Sequence, residues 1–311
     1  MTQGDGITLI DTGYVRPGLC AAYLVHGADG RAALVDCGTA TCADRVLAAI
    51  DAAGVARDAL DWLLVTHVHL DHAGAAGPLM RALPNARLVV HPRGAQHMID
   101  PAKLIAGAKA VYGEAMFARD HAGMLPVDEA RVVVAEDGHV VELAGRPLLC
   151  VDTPGHALHH YSVWDARTRG WFSGDAFGLS YRELDTAHGA FGVPTTSPVQ
   201  FDPDQMKASI RRLVAHGPAV IRVAHYGAVT ECERLAVDLV AQVDAMARIA
   251  READGRPDRH ARIAGELVRL YVGRARAHGV ADAERVVPEV LGNDIEINAQ
   301  GLETWLERLR K

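Results

Sequence analysis

Between Thr66 and His72 the chain reads Thr-His-Val-His-Leu-Asp-His. Three histidines and an aspartate within six residues are more polarity than packing can use, because each buried polar group needs its own partner. Imidazole and carboxylate are the donors that suit Zn²⁺ and its first-row relatives. The stretch follows Trp62-Leu63-Leu64-Val65, an apolar run that reads as a short buried strand. On an extended backbone residues i and i+2 point the same way, so His67 and His69 can share one ion. Asp71 and His72 fall where the chain turns into a helix, and they can aim at a neighbouring point.

Three later segments repeat the pattern of an apolar run ending in a ligand-type residue. Leu148 to Asp152 leads into Thr153-Pro154-Gly155-His156, where Pro and Gly force a tight turn and let His156 approach closely. Trp171-Phe172-Ser173-Gly174 leads to Asp175, and Val220 to Ala224 leads to His225-Tyr226-Gly227. Each places a histidine or aspartate just past a strand, where loops carry chemistry on a rigid scaffold. Tyr226 reads equally as a proton donor or as a packed aromatic.

The elements that must position these residues follow from the pattern. Ile7 to Asp11, Cys20 to His26, Ala32 to Asp36, Leu88 to Val90, Ser162 to Asp165, Gly170 to Ser173 and Ala219 to Ala224 read as strands. Val132 to Leu143 reads as a hairpin turning at Asp137-Gly138. Helices are expected over Ala43–Ala53, Asp100–Arg119 and Pro203–Ala215. From about Thr230 only helical spacing remains, punctuated at Gly255-Arg256-Pro257 and Gly292-Asn293-Asp294. This predicts a mixed α/β domain over 1–229 and a helical region over 230–311.

Composition narrows the function. The 311 residues are 49% hydrophobic, ample for a sizeable core. Lys and Arg number 32 against 39 Asp and Glu, a net charge of −7, with no dense basic run; that counsels against a nucleic-acid surface. Five scattered cysteines with no CxxC, and no basic-apolar leader, predict reduced thiols in a cytoplasm. No apolar run approaches the length of a membrane span.

His-x-His-x-Asp-His, then Thr-Pro-Gly-His, Ser-Gly-Asp and a last histidine after a strand, together resemble the metallo-β-lactamase superfamily over residues 7 to about 229. The resemblance implies an α/β fold, an αββα four-layer sandwich of two mixed β-sheets flanked by helices. It also implies two divalent metal ions, zinc first, with iron or manganese as alternatives. His67, His69 and His156 would hold one ion; Asp71, His72 and His225 would hold the other; Asp175 would bridge them. Asp36 matches a position that braces the ligand loop, with a turn-capping aspartate as the competing reading. His160 aligns with a supporting position, while His159 stands where many relatives have glycine. His26, His91, His97, His121, His139, His216, His260 and His278 read as surface or turn residues.

The activity expected is hydrolysis of an ester, thioester or lactone, with a bridging hydroxide as nucleophile and Asp71 orienting it. The partner is then a small-molecule substrate, with no nucleic acid and no membrane. Flavo-diiron oxidoreductases usually have Glu at the position of His69, and lactonases of homoserine lactones place a tyrosine at the position of Gly178. The rival classes are a mononuclear-iron persulfide dioxygenase, against which Asp71, His72 and His225 argue, and a metal-containing binding module. Residues 176–201 lack any period, and a loop this long is usually functional. Tyr181 and His188 are its predicted substrate contacts. The C-terminal helices would cover the site, form a homodimer contact or only stabilise the core.

Overall fold

The computed structural model describes residues 4–310. In chain order the first half forms β1 (Ile7–Asp11), β2 (Ala21–His26), β3 (Ala32–Val35), α1 (Ala43–Ala52), β4 (Leu60–Leu64), α2 (Leu70–Ala73), α3 (Ala76–Ala82), β5 (Arg87–Val90), α4 (Pro92–Ile99), α5 (Ala102–Tyr112), α6 (Glu114–Asp120), β6 (Val132–Val134) and β7 (Val140–Leu143). Then come β8 (Arg146–Asp152), β9 (Tyr161–Asp165), β10 (Gly170–Gly174), α7 (Pro203–Ala215), β11 (Val220–Val223), β12 (Gly227–Val229), α8 (Cys232–Ala253), α9 (Arg259–Ala277) and α10 (Ala283–Arg308). No helix among the described residues is long and apolar enough to cross a membrane.

The strands make two six-stranded sheets, ordered β1-β2-β3-β4-β5-β6 and β12-β11-β10-β9-β8-β7, with helices flanking them: the expected αββα architecture. In the first sheet β1, β2 and β3 are antiparallel, while β3 to β6 run parallel, with Val35 opposite Leu64 and Leu64 opposite Val89. Parallel neighbours need a crossover, and α1, α2–α3 and α4–α6 supply the three. Alternate residues such as Leu63, Leu88 and Val90 face a helix-covered core with Val46, Ile50, Leu79 and Met98. Fully burying Val46 and Ile50 gains roughly 1.5–3 kcal/mol each and fixes the buried face of α1. Helix α7 starts where expected because Pro203 occupies its first turn and Asp202 accepts the N–H groups of Asp204 and Gln205 at 3.0 and 2.9 Å.

The chain divides into two compact units. The first contains the residues up to Asp152 together with His159–Gly174; the second contains Thr153–Leu158 and the chain from Asp175 onward. Inside the first unit the sheets meet through specific bonds. Tyr161 of β9 donates its hydroxyl to Val89 O of β5 at 3.0 Å, and the Trp62 indole of β4 donates to Glu142 O of β7 at 3.0 Å. Arg146 of β8 is buried, pairs with Asp165 at 2.6 Å, and donates to the carbonyls of Gly6 and His26.

Three sequence expectations fail here. Val132–Leu143 is not a hairpin: β6 joins the first sheet parallel to β5, and β7 is an edge of the second. The Asp137-Gly138 turn does form, but Gly138 N–H and the His139 carbonyl bond to Cys150 of β8, so the turned chain pairs forward. A local turn signal reports reversal, not which strand is met. The helix expected over Asp100–Arg119 is split at Gly113, whose φ of +77° leaves the helical region. The expected break at Gly292–Asp294 lies inside α10, and the chain breaks instead around Gly279 and Asp282, both at positive φ. An internal glycine costs about 1 kcal/mol relative to alanine. The buried series Val287, Leu291, Ile295, Asn298, Leu302 and Trp305 keeps helical spacing across it and outweighs that cost.

Candidate metal centre

In the first unit the ligand-type residues leave β4 on an extended backbone. Asp36, just past β3, holds the turn from within. Its Oδ1 accepts the N–H and hydroxyl of Thr66 at 2.8 and 3.0 Å, and its Oδ2 lies 3.0 Å from His72 Nδ1. A carboxylate only accepts, so His72 carries a proton on Nδ1, and its Nε2, the lone-pair nitrogen of the neutral ring, faces Asp71 Oδ2 3.6 Å away. The Thr66 hydroxyl is spent on Asp36, so at 3.2 Å it accepts from His67 Nδ1 and leaves His67 Nε2 as a lone pair. His67 Nε2 lies 2.9 Å from His69 Nδ1. His160 is buried with its ring 4.8 Å from that of His67. Gly174 is required beside it, because a Cβ there would sit 2.6 Å from both His160 Nε2 and Thr66 Oγ1. His159 accepts the N–H of Val68 through Nδ1 at 3.4 Å.

The second unit holds the remaining three. The turn at Gly155 has φ +129°, and a Cβ there would meet the Met206 backbone at 2.3 Å. His156 donates from Nδ1 to Thr195 O at 3.1 Å, which in the neutral ring puts the lone pair on Nε2. That nitrogen lies 3.4 Å from Asp175 Oδ2, while Asp175 Oδ1 lies 3.7 Å from His225 Nε2. Asp175 therefore offers one oxygen to each of two histidines. All three of His156, Asp175 and His225 are buried. The donor set fits a divalent cation. His67, His72 and His156 are each held at Nδ1 by an oxygen, which leaves Nε2 as the nitrogen available to a metal, and carboxylates stand beside them.

Tyr181 and His188 part company. Tyr181 is buried, and its hydroxyl donates to Asp294 Oδ1 of α10 at 3.4 Å. Burial pushes Asp294 up to about 6, opposed by His225 and by the Tyr181 hydrogen bond. His188 is exposed, with its ring 6.1 Å from that of His278 at the end of α9.

Several residues escaped the sequence reading. Cys20 is fully buried and donates its thiol to the backbone carbonyl of Asp71 at 3.4 Å, a ligand-type atom beside the first-unit set. Nothing in its spacing signals this. Asn298 and Asp294 lie on a helix that read only as amphipathic. Two of the histidines read as surface or turn residues are buried. His91 caps α4 by accepting the N–H of Arg93 at 3.1 Å, and His121 packs against Tyr14 and Tyr112. The Pro92 that follows His91 is the signal that could have marked a helix start.

A family model described as the metallo-beta-lactamase superfamily matches residues 15–225. The metallo-beta-lactamase fold-containing protein ST1585 of Sulfurisphaera tokodaii is 28% identical over 201 residues, 61% of this chain and 72% of its own. The crystal structure of ST1585, from Sulfolobus tokodaii, has a TM-score of 0.68 at 23% identity, covering 96% of this chain and 98% of that one. A metallo-beta-lactamase family protein of Thermus thermophilus, TTHA1429, follows at 0.64 and 22% identity, covering 92% and 94%. Rubredoxin oxygen:oxidoreductase of Desulfovibrio gigas scores 0.53 at 19% identity, over 80% of this chain and 67% of its own. At these identities the structures share the fold.

Proposed function

This chain belongs to the metallo-β-lactamase superfamily and carries candidate metal-binding clusters of histidine, aspartate and cysteine; from that premise we propose a metal-dependent hydrolase of esters, thioesters or lactones. His67, His69 and His156 hold one divalent cation, Asp71, His72 and His225 hold a second, and Asp175 is shared. Zinc suits this donor set best, with iron and manganese as alternatives. When bound, such a pair supplies water acidified toward neutral pH and a Lewis acid for the scissile carbonyl. The observation that carries the reading is Asp175, whose two oxygens are turned to two different histidines at 3.4 and 3.7 Å.

The chain's own groups do the rest. Asp36 and Thr66 lock the tautomers of His72 and His67, and the Thr195 carbonyl locks that of His156. The Asp71 side chain keeps 21% exposure, so it can meet substrate-borne water. It orients that water and takes its proton as the oxygen bonds to the acyl carbon. The bond from that carbon to the leaving oxygen or sulfur then breaks, and the proton passes to the leaving group. Residues 1–229 form the catalytic domain. Residues 230–311 form a helical region whose α10 supports the ligand loops, and the irregular segment 176–201 selects substrate.

Elemental analysis after metal-replete expression, followed by a panel of aryl esters, thioesters and lactones, tests the proposal. The expected result is about two metals per chain and hydrolysis within the panel. A stable single iron with oxygen-dependent turnover of a persulfide, and no hydrolysis, overturns it.

A further inference from the structure

The backbone between His67 and His69 is held by a side chain rather than by a strand. Past the end of β4 the chain runs beside the start of β9, and Tyr161 N–H donates to Thr66 O at 2.9 Å. Two residues on, Val68 is fully buried, and a buried N–H needs an acceptor. The acceptor is His159 Nδ1, at 3.4 Å. An imidazole that accepts through Nδ1 carries its proton on Nε2 in the neutral ring.

The same ring meets the histidines on either side of Val68. It stands edge-on to the His69 ring, with centroids 5.4 Å apart and planes at 87°, and lies nearly parallel to the His67 ring at 6.2 Å. Edge-to-face is a preferred arrangement of aromatic rings at centroid distances of about 4.5–7 Å. One side chain thus engages all three residues of His67-Val68-His69. It is itself confined. His159 is only 7% exposed, and α4 approaches so closely that a Cβ at Gly94 would sit 2.7 Å from Val68 Cγ1 and 3.7 Å from His159 Cβ.

His69 is the member of the pair that gains most from this support. His67 is fully buried and bonded at Nδ1 to the Thr66 hydroxyl, whereas His69 is half-buried. Its Nδ1 lies 2.9 Å from His67 Nε2. Rotation of the His69 ring would separate the two nitrogens, and a cation needs both at once. Holding the ring before a cation arrives removes the cost of ordering it from the binding step.

We propose that His159 is a positioning residue for the cation that His67 and His69 hold: it fixes the backbone between them through Val68 N–H and sets the His69 ring edge-on. The glycine that many relatives have at this position offers neither contact. The inference rests on the metal-binding part of the hydrolase reading and not on hydrolysis.

The test titrates cobalt(II) into the metal-free full chain, in competition with a chelator, and follows the cobalt d–d absorption. The variants are His159→Gly, His159→Asn, whose amide oxygen can replace Nδ1 as acceptor, and His159→Phe, which keeps the ring without the acceptor. His159→Gly should bind cobalt about 10- to 100-fold more weakly and shift the d–d bands, with the number of ions unchanged. His159→Asn and His159→Phe should each recover part of the affinity, because each keeps one contact. Melting of the metal-free chains separates positioning from packing. Variants that melt lower but bind cobalt within about twofold of wild type, with the same spectrum, overturn the proposal. A loss in His159→Gly that neither other variant recovers in part also overturns it. Loss of one whole ion would make His159 a ligand instead, with the same consequence. If His159→Gly does not fold, the other two variants decide, each being expected to bind more weakly than wild type. A wild type that takes up no cobalt would sink the metal reading and this inference with it. One that takes up cobalt but hydrolyses nothing would sink the hydrolase reading alone.

Discussion

Asn298 should control His156, a candidate metal ligand that it does not touch. It is fully buried in the middle of α10 and makes three hydrogen bonds. Its Oδ1 accepts Thr196 N–H at 2.8 Å, and its Nδ2 donates to Pro194 O and to the Tyr271 hydroxyl, each at 3.0 Å. Between those two anchored backbone groups lies Thr195, whose carbonyl accepts His156 Nδ1–H at 3.1 Å. Asn298→Ala removes three bonds of about 1 kcal/mol each and leaves a buried N–H and a buried C=O without partners, at about 1–3 kcal/mol apiece. With partial relaxation the expected destabilisation is about 3–5 kcal/mol. Because the carbonyl that orients His156 loosens with the segment, metal affinity should fall about 10- to 100-fold, the usual effect of losing a ligand's supporting partner. Denaturant unfolding of the metal-free protein measures the first quantity, and competition with a chromogenic chelator measures the second. Asn298→Asp keeps the acceptor but sets an oxygen against Pro194 O, and should be at least as destabilising. A destabilised variant with unchanged metal affinity would refute the coupling of α10 to His156. Unchanged stability would refute the hydrogen-bond reasoning itself.

Asp175→Ala should lose metal and activity together, because one carboxylate serves two histidines; a variant that keeps about two ions, by elemental analysis, contradicts the bridging role. Arg146→Ala should cost about 3–5 kcal/mol in urea unfolding, since it strands the buried Asp165 carboxylate. Burial alone would raise Asp165, but the Arg146 guanidinium and the Thr168 hydroxyl hold it below the usual carboxylate range. Its folded value is therefore the lower one. The stabilisation is complete above the unfolded value near 3.9 and is lost as pH falls through the folded value. Wild type should accordingly lose stability faster than Arg146→Met below about pH 4, and parallel pH curves would count against the pairing. Tyr181→Phe and His188→Ala should keep metal and fold while shifting kcat/KM unequally between substrates; equal kinetics on every accepted substrate would place selection elsewhere in the chain.

The features legible in the sequence were those written locally. The strand-end position of His67, His69, Asp71 and His72 followed from an apolar run, an i, i+2 spacing and a small-residue turn. Helix α7 was legible to its end residues because Asp202 and Pro203 mark its start in the covalent sequence itself. The same locality explains the failures. The Asp137-Gly138 turn is genuine and so signals a hairpin, while the partner of β7 is β8 and that of β6 is β5. Gly292 signals a helix break because glycine is a poor helix former. Only the packing of Leu291, Ile295 and Asn298 shows why the helix runs through.

Side-chain partners were beyond local reading in a deeper sense. Asp36 and His72 are 36 residues apart, and Thr196 and Asn298 are 102 apart, so neither pair leaves a mark on its own neighbourhood. The sequence by itself put the histidines and aspartates of the candidate centre just past strand ends, because backbone period and turn chemistry act over a few residues. Tertiary structure alone decided which nitrogen of His67, His72 and His156 is held by an oxygen, that Tyr181 meets Asp294, and that Asn298 stands behind the loop of His156. Those outcomes depend on distances between segments far apart in the chain, which are set when a buried core closes around them.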